Sequence, residues 1–284
     1  MINVAFFYGQ LLPWQQSWIE YHPMDASGLH CSLGRLRKDN SMYLDRVIGH
    51  RGCAGLAPEN SEAALRLAAS LGVKAVEVDV ALTREGMLPI FHDNSLSRCT
   101  NGRGSIRDAD WNYLAALDNG SWFDRRFAGS RILQLDQLLA LTTELGLMLN
   151  LELKVHDTEA EALASAVAER MEKRDEKNDN GLVVSSFSHA ALEAYHRLQP
   201  RHAIGYLFEG IPSDWQSLAE SVGAATIHAD ASRITEADVA RVKTQGYPLF
   251  LYTLNQRRQF DRWITAGVDG VFTDYPDRFL GREH

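Results

Sequence analysis

Apolar and polar positions along the chain follow two alternating periods. Val47 and Ile48 form a short apolar run, read as a strand over Arg46–Gly49. From Ser61 to Leu71, Ala64, Leu65, Ala68 and Leu71 recur at helical spacing. Ala75–Leu82 then reads as a second strand, in which Val76, Val78 and Val80 share one face and Glu77 and Asp79 the other. Beyond Leu135 the alternation becomes regular. Helices over about 135–145, 158–173, 188–198, 214–222, 235–245 and 257–266 are each followed by an apolar run: Leu147–Leu153, Leu182–Ser186, Ala203–Phe208, Ala225–His228, Leu249–Leu254 and Gly270–Thr273. With the two earlier strands this makes eight strands alternating with helices. Such a pattern in roughly 250 residues predicts an α/β fold with a parallel sheet closed into a TIM (β/α)8 barrel.

Two carboxylates on one strand face repel each other unless a positive charge lies between them. A solvated face would relieve that repulsion, but the flanks of Glu77 and Asp79 are apolar. Thr83-Arg84-Glu85-Gly86 is too short for the crossover that parallel pairing requires, so Leu88–His92 is expected to return as an antiparallel hairpin arm. Counting back from a turn near Glu85 puts His92 beside Val78 and Asp79. His50, leaving the first strand, can join them. Carboxylates and imidazoles would then meet at the C-terminal ends of the strands, where catalytic residues of such barrels sit.

Composition narrows the partners. A net charge of −8 with no Lys/Arg stripe disfavours nucleic acid, while leaving room for a small anionic substrate. Cys31, Cys53 and Cys99 are odd in number and widely spaced, which gives neither a disulfide framework nor zinc spacing and fits a cytoplasmic location. Residues 1–43 stand outside the pattern. They carry Phe6, Phe7, Trp14 and Trp18, interrupted by Pro13 and polar side chains, and no run reaches the roughly 20 apolar residues of a membrane span. The segment also lacks the features of a signal peptide. It reads as a poorly ordered extension, as coding sequence upstream of a start at Met42, or as an interfacial anchor. The barrel domain is expected over 44–284.

His50-Arg51-Gly52, Pro58-Glu59-Asn60-Ser61, Glu77-Val78-Asp79, His92-Asp93 and Leu151-Glu152-Leu153-Lys154 occur in an order and at spacings that resemble the glycerophosphodiester phosphodiesterase family. Gly267–Pro276 resembles its closing strand, and the resemblance spans about 44–280. It implies that the stretch Asn94–Ser130 is an inserted cap over the catalytic end, and the aromatics Trp111, Trp122 and Phe123 suggest a packed lid. The departures are Ser61 for a more usual threonine, Cys99 where threonine is frequent, and Tyr252 where tryptophan is common. The last of these alters the aromatic wall beside the alcohol or glycerol group.

Glu77, Asp79 and Glu152 offer only oxygen ligands, so one hard divalent cation, Mg²⁺ or Ca²⁺, is expected. The resemblance implies that His50 and His92 share acid and base work, without showing which is which. Arg51 and Lys154 are placed to neutralise phosphate, and Phe187 and Tyr252 to line the substrate site. Glu59 either orients His50 or Arg51 or starts the helix. His228 ends its strand in this reading and could approach the site. The expected reaction is metal-dependent hydrolysis of glycerophosphodiesters to sn-glycerol 3-phosphate and an alcohol. A lysophospholipase D-like lipid phosphodiesterase and a non-catalytic glycerophosphate-binding barrel are the alternatives.

Overall fold

The computed structural model describes residues 44–172 and 181–280. The N-terminal extension, the polar stretch before the fourth strand and the last four residues lie outside them. The eight strands are β1 (Val47–Gly49), β2 (Ala75–Val80), β3 (Met148–Leu153), β4 (Leu182–Ser186), β5 (Ala203–Phe208), β6 (Ala224–Asp230), β7 (Leu249–Tyr252) and β8 (Gly270–Thr273). All neighbours are parallel, and β1 pairs with β8 to close the barrel in sequence order. The register sets Glu77 beside Asn150 and Asp79 beside Glu152. Four polar residues thus form two adjacent rungs at the C-terminal mouth.

The period-2 pattern on β2 works as expected. Val76, Val78 and Val80 pack with Leu65 and Ala68 of α1 (Glu62–Ser70) in the layer between barrel and helices. α1 starts where its cap can form: Ser61 Oγ accepts from the Ala64 N–H at 3.2 Å. A smaller cluster of Leu44, Ile48, Ala75, Val183, Phe250 and Phe272 is separate from that layer.

The return arm after β2 is shorter than expected. Only Val80 and Ile90 form an antiparallel bridge, although the Phe91 N–H still reaches the Asp79 carbonyl at 2.9 Å. Pro89 has no N–H to extend a ladder, and the Ile90 N–H turns to Leu133 instead. β2 itself stops at Val80 rather than Leu82.

The segment from Asn94 to Ser130 holds a short helix, α2 (Trp111–Ala116). Its core is aliphatic rather than aromatic: Leu96, Cys99, Ile106, Leu114 and Leu117 pack with Ala81, Phe91 and Ile132. Trp111 lies at the margin of that core, and Trp122 is 37% exposed. The aromatics pack beside this core rather than in it: Trp122 meets Phe123 edge-on at 5.7 Å, and Phe123 meets Phe127 at 5.7 Å.

His228 also needs correcting. β6 continues two residues beyond it, so His228 sits mid-strand and fully buried. Its Nε2 lies 3.0 Å from Thr226 Oγ1, and its ring packs 5.0 Å from Phe272. Nδ1 has no hydrogen-bond partner among the described residues. Burial pushes the His228 imidazole down to about 3. Between there and the ordinary value near 6.5, the unfolded chain binds a proton that the folded one does not, so stability falls as pH falls. From pH 6.5 to 5 the loss from this one group is roughly 2 kcal/mol. Denaturant unfolding at pH 7.5 and pH 5 is expected to show a smaller acid loss for His228→Gln than for the parent chain. Equal losses in both proteins would remove His228 as the cause.

Candidate active site

The loop leaving β1 shapes the site. Arg51 takes a left-handed backbone (φ 48°) and Gly52 follows at φ 87°. A Cβ on Gly52 would lie 2.8 Å from Ala64 Cβ, so only glycine fits against α1 there. The bend aims the Arg51 N–H at Glu77 Oε2, 2.8 Å away. The Arg51 side chain then places Nη1 2.8 Å from Glu59 Oε1 and Nε 3.4 Å from Asp79 Oδ2, the latter an ion pair without hydrogen-bond alignment. Asn60, also left-handed at φ 56°, donates from Nδ2 to Asp79 Oδ2 at 2.8 Å and accepts from the Asp79 N–H at 3.2 Å.

Glu77, Asp79 and Glu152 bring one carboxylate oxygen each within 4.8 Å of one another, all three buried. Their environments differ. Burial, with Asp79 and Glu152 repelling it, pushes the Glu77 carboxyl well above the carboxylate range. Burial also opposes Asp79, but Lys154, Arg51 and His92 outweigh it and hold that carboxyl well below its usual value. Glu152, buried beside Lys154 at 2.6 Å, is pushed up to about 7 because burial prevails over the ammonium. Glu77 Oε1 is buried without a hydrogen-bond partner among the described residues. An oxygen-only donor set with one orphaned carboxylate oxygen fits a hard divalent cation.

Two histidine–aspartate pairs flank these acids. His50 Nδ1 lies 2.7 Å from Asp274 Oδ1, while its Nε2 is 3.9 Å from Glu77 Oε2. His92 Nδ1 lies 2.6 Å from Asp93 Oδ1. Each carboxylate accepts an Nδ1–H and leaves Nε2 for chemistry. Asn255 fixes Asp274 twice, donating to Oδ2 at 2.7 Å and accepting from the Asp274 N–H at 2.9 Å. Arg98 forks onto Asp93 (2.6 and 2.9 Å) and onto Glu59 (both 2.7 Å). Burial opposes ionisation of Glu59, but Arg98 and Arg51 hold its carboxyl below the usual range. Glu59 therefore orients Arg51, not His50, and Ser61 starts the helix. Burial lowers the His92 imidazole, with Asp79 offsetting part of the shift.

Of the nine residues expected at the site, His50, Arg51, Glu77, Glu152, Lys154, Phe187 and Tyr252 line one open cleft of about 480 Å³. Asp79 is 1% exposed, an ion-pair partner of Arg51 and Lys154, and His92 adjoins Asp79 through the Phe91 backbone bond. Phe187, 44% exposed, meets Tyr252 edge-on at 5.9 Å. The Tyr252 hydroxyl is already committed to the Phe208 carbonyl at 2.8 Å, which leaves the ring to line the cleft. Sequence reasoning gave no roles to Asn60, Arg98, Asn255 or Asp274. Asn60 and Asp274 stood inside quoted motifs, whereas Arg98 carried no local signal.

A parallel barrel with buried acids and two histidine–aspartate pairs at its C-terminal mouth is an acid–base enzyme scaffold with a candidate hard-cation site. The model of the glycerophosphoryl diester phosphodiesterase family matches residues 50–278. A glycerophosphodiester phosphodiesterase of Caldanaerobacter subterraneus subsp. tengcongensis is 32% identical over 237 residues, covering 82% of this chain and 96% of that protein. The structure of an Oleispira antarctica phosphodiesterase in complex with the product sn-glycerol-3-phosphate is similar at TM-score 0.80 and 36% identity, covering 83% of this chain and 95% of that one. A glycerophosphodiester phosphodiesterase of Thermotoga maritima is similar at TM-score 0.65 and 26% identity, over 83% of this chain and 96% of its own. The chain belongs to the glycerophosphoryl diester phosphodiesterase family.

The Asp274 contacts generate a test that needs no substrate. In Asp274→Asn, the Asn255 amide N–H retains the side-chain oxygen and turns the new NH₂ toward His50 Nδ1. His50 is then forced from the Nδ1–H to the Nε2–H tautomer. Ring-nitrogen NMR shifts of the neutral imidazole report this directly. An unchanged tautomer would show that Asp274 does not set it.

Proposed function

We propose that the chain hydrolyses glycerophosphodiesters to sn-glycerol 3-phosphate and an alcohol, with His50 and His92 as the acid–base pair. The observation that carries this reading is the meeting of three buried carboxylates, two cations and two histidine–aspartate pairs around one cleft. Glu77, Asp79 and Glu152 would hold one divalent cation, Mg²⁺ or Ca²⁺. When bound, that ion supplies Lewis-acid polarisation of a phosphate oxygen. Arg51 and Lys154 bind the remaining phosphate charge, Arg51 with its guanidinium already oriented by Glu59. One imidazole takes the proton of the attacking nucleophile, either water or the neighbouring glycerol hydroxyl whose cyclic phosphate water then opens, and the other returns a proton to the departing alkoxide. Each does so through Nε2, since the paired aspartate occupies Nδ1.

Phe187 and Tyr252 form the aromatic wall against the carbon skeleton of the substrate. The segment 94–130 acts as a cap over the strand ends, reaching the site through Arg98. Its aliphatic side chains are spent on its own core, so no observation favours the lysophospholipase D-like reading, which calls for an apolar groove beside it. The buried free thiols of Cys53 and Cys99 support a reducing, cytoplasmic setting. No helix among the described residues is long and apolar enough to cross a membrane.

Release of sn-glycerol 3-phosphate from glycerophosphocholine and glycerophosphoethanolamine, followed in EDTA and then with Mg²⁺, Ca²⁺ or Mn²⁺ restored, tests the reading. Turnover is expected only with metal. His50→Ala and His92→Ala are each expected to lower it by roughly 10²–10⁴-fold, and Glu152→Gln to abolish metal-dependent turnover. Metal-independent release, or full activity in Glu152→Gln, would overturn the assignment.

A further inference from the structure

The inward positions of β2 and β3 at the barrel mouth are Glu77, Asp79, Asn150 and Glu152, and the proposed reaction uses only three of them. Asn150 is 1% exposed, yet it lines the cleft. In register it stands beside Glu77, one rung deeper than Asp79 and Glu152. Its Nδ2 donates to Ser185 Oγ at 2.9 Å, whereas Oδ1 is buried with no hydrogen-bond partner among the described residues. An unpaired amide oxygen in such a place costs stability, so a partner from the ligand is the economical explanation.

The chemistry of that partner can be narrowed. Ser185 Oγ can donate or accept, so the amide can turn either end toward the cleft. A hydroxyl group also donates and accepts, and suits both orientations. Phosphate does not fit this position: Asn150 is neutral and adjoins Glu77, whereas the cations Arg51 and Lys154 accompany the outer pair of acids. The neighbouring cleft walls are carbon: Leu207, Tyr252 and Phe272. A carbon chain bearing a hydroxyl, reaching inward from a phosphate held at the rim, satisfies all of these surfaces.

We propose that Asn150, backed by Ser185, is the hydroxyl-recognising residue of the cleft and selects glycerol-bearing phosphate ligands over alkyl ones. This rests on the proposed reaction. Asn150 is neither a metal ligand nor a proton carrier in it. Its contribution is to the binding of one hydroxyl, and through that to the depth at which the glycerol end sits.

The test compares two ligands on the metal-loaded full chain by titration calorimetry: sn-glycerol 3-phosphate and propyl phosphate, which lacks both hydroxyls. The parent protein is expected to prefer sn-glycerol 3-phosphate. In Asn150→Val that preference is expected to fall by roughly five- to tenfold, with propyl phosphate and metal affinity, the latter read by terbium luminescence, unchanged. Asn150→Ala removes the amide without adding a buried branch and is read by the same criterion should Asn150→Val not fold. An unchanged preference in the variant overturns the proposal. An equal loss for both ligands also overturns it, because Asn150 would then act through the metal site or the fold. A parent protein that binds neither ligand overturns the proposed reaction itself, which keeps the two failures distinct.

Discussion

The constraint on which the rest of this structure depends is the burial of three carboxylates inside the mouth of a barrel. Removing a carboxylate from water costs several kcal/mol per ion unless it is paired and hydrogen-bonded. Asp79 receives that pairing in full, from Asn60, Arg51 and Lys154. Glu152 has only Lys154 among the cations bonded to it, and Glu77 has a backbone N–H and one orphaned oxygen. Three buried carboxylates thus share two partner cations, and the one left without a cation of its own, Glu77, is pushed well above the carboxylate range. The same imbalance drives Glu77 and Asp79, two residues apart, in opposite titration directions.

The demand for compensation extends outward as one chain of contacts. Arg51, Glu59, Arg98 and Asp93 alternate in charge from the barrel mouth to the inserted segment and back, and Asp93 holds His92. Glu59 sits between two guanidinium groups, so it remains ionised despite burial and can hold both in place. Arg98 belongs to the insertion, whose small core is completed by Ala81, Phe91 and Ile132 from the flanking segments. The orientation of His92 thus depends on the insertion being folded. His50 depends instead on β7 and β8 through Asn255 and Asp274. The two imidazoles are positioned by separate parts of the chain.

Much of this was legible in the sequence because the informative signal is local. Alternation on Ala75–Val80 was enough to put Glu77 and Asp79 on one face, and the eightfold repeat of strands and helices was enough for the barrel. The count across the turn at Glu85 brought His92 to Asp79 although Pro89 reduces the arm to one bridge. The partners of the site residues were hidden by distance along the chain: Asp274 lies 224 positions from His50, and Arg98 lies 39 from Glu59. Nothing in residues 94–105 marks Arg98 among its neighbours. His228 misled for a different reason. A polar residue at the end of an apolar run looks like a strand terminus, but β6 runs on to Asp230, and Gly205 leaves the room that the imidazole fills.

That last substitution of space points to how the barrel divides its labour. Inner layers of such barrels are ordinarily filled by branched apolar side chains. Here the β2–β6 side of the interior carries Glu77, Asn150, Ser185, Thr226 and His228, all buried, while Phe250 and Phe272 fill the β7–β8 side. The fold tolerates this because its large apolar cluster lies elsewhere, between the strands and the helices, where Val76, Val78 and Val80 meet α1. Stability resides mainly in that outer layer, so the inner face is free to be polar where binding requires it. A lopsided interior also gives the cleft a direction, with the rings of Tyr252 and Phe272 on one side and Glu77 and Asn150 on the other. A ligand with a phosphate, a carbon chain and a hydroxyl can satisfy both sides in one orientation. Under the proposed role of Asn150, selectivity follows from the barrel's inward-facing residues as much as from the loops above it.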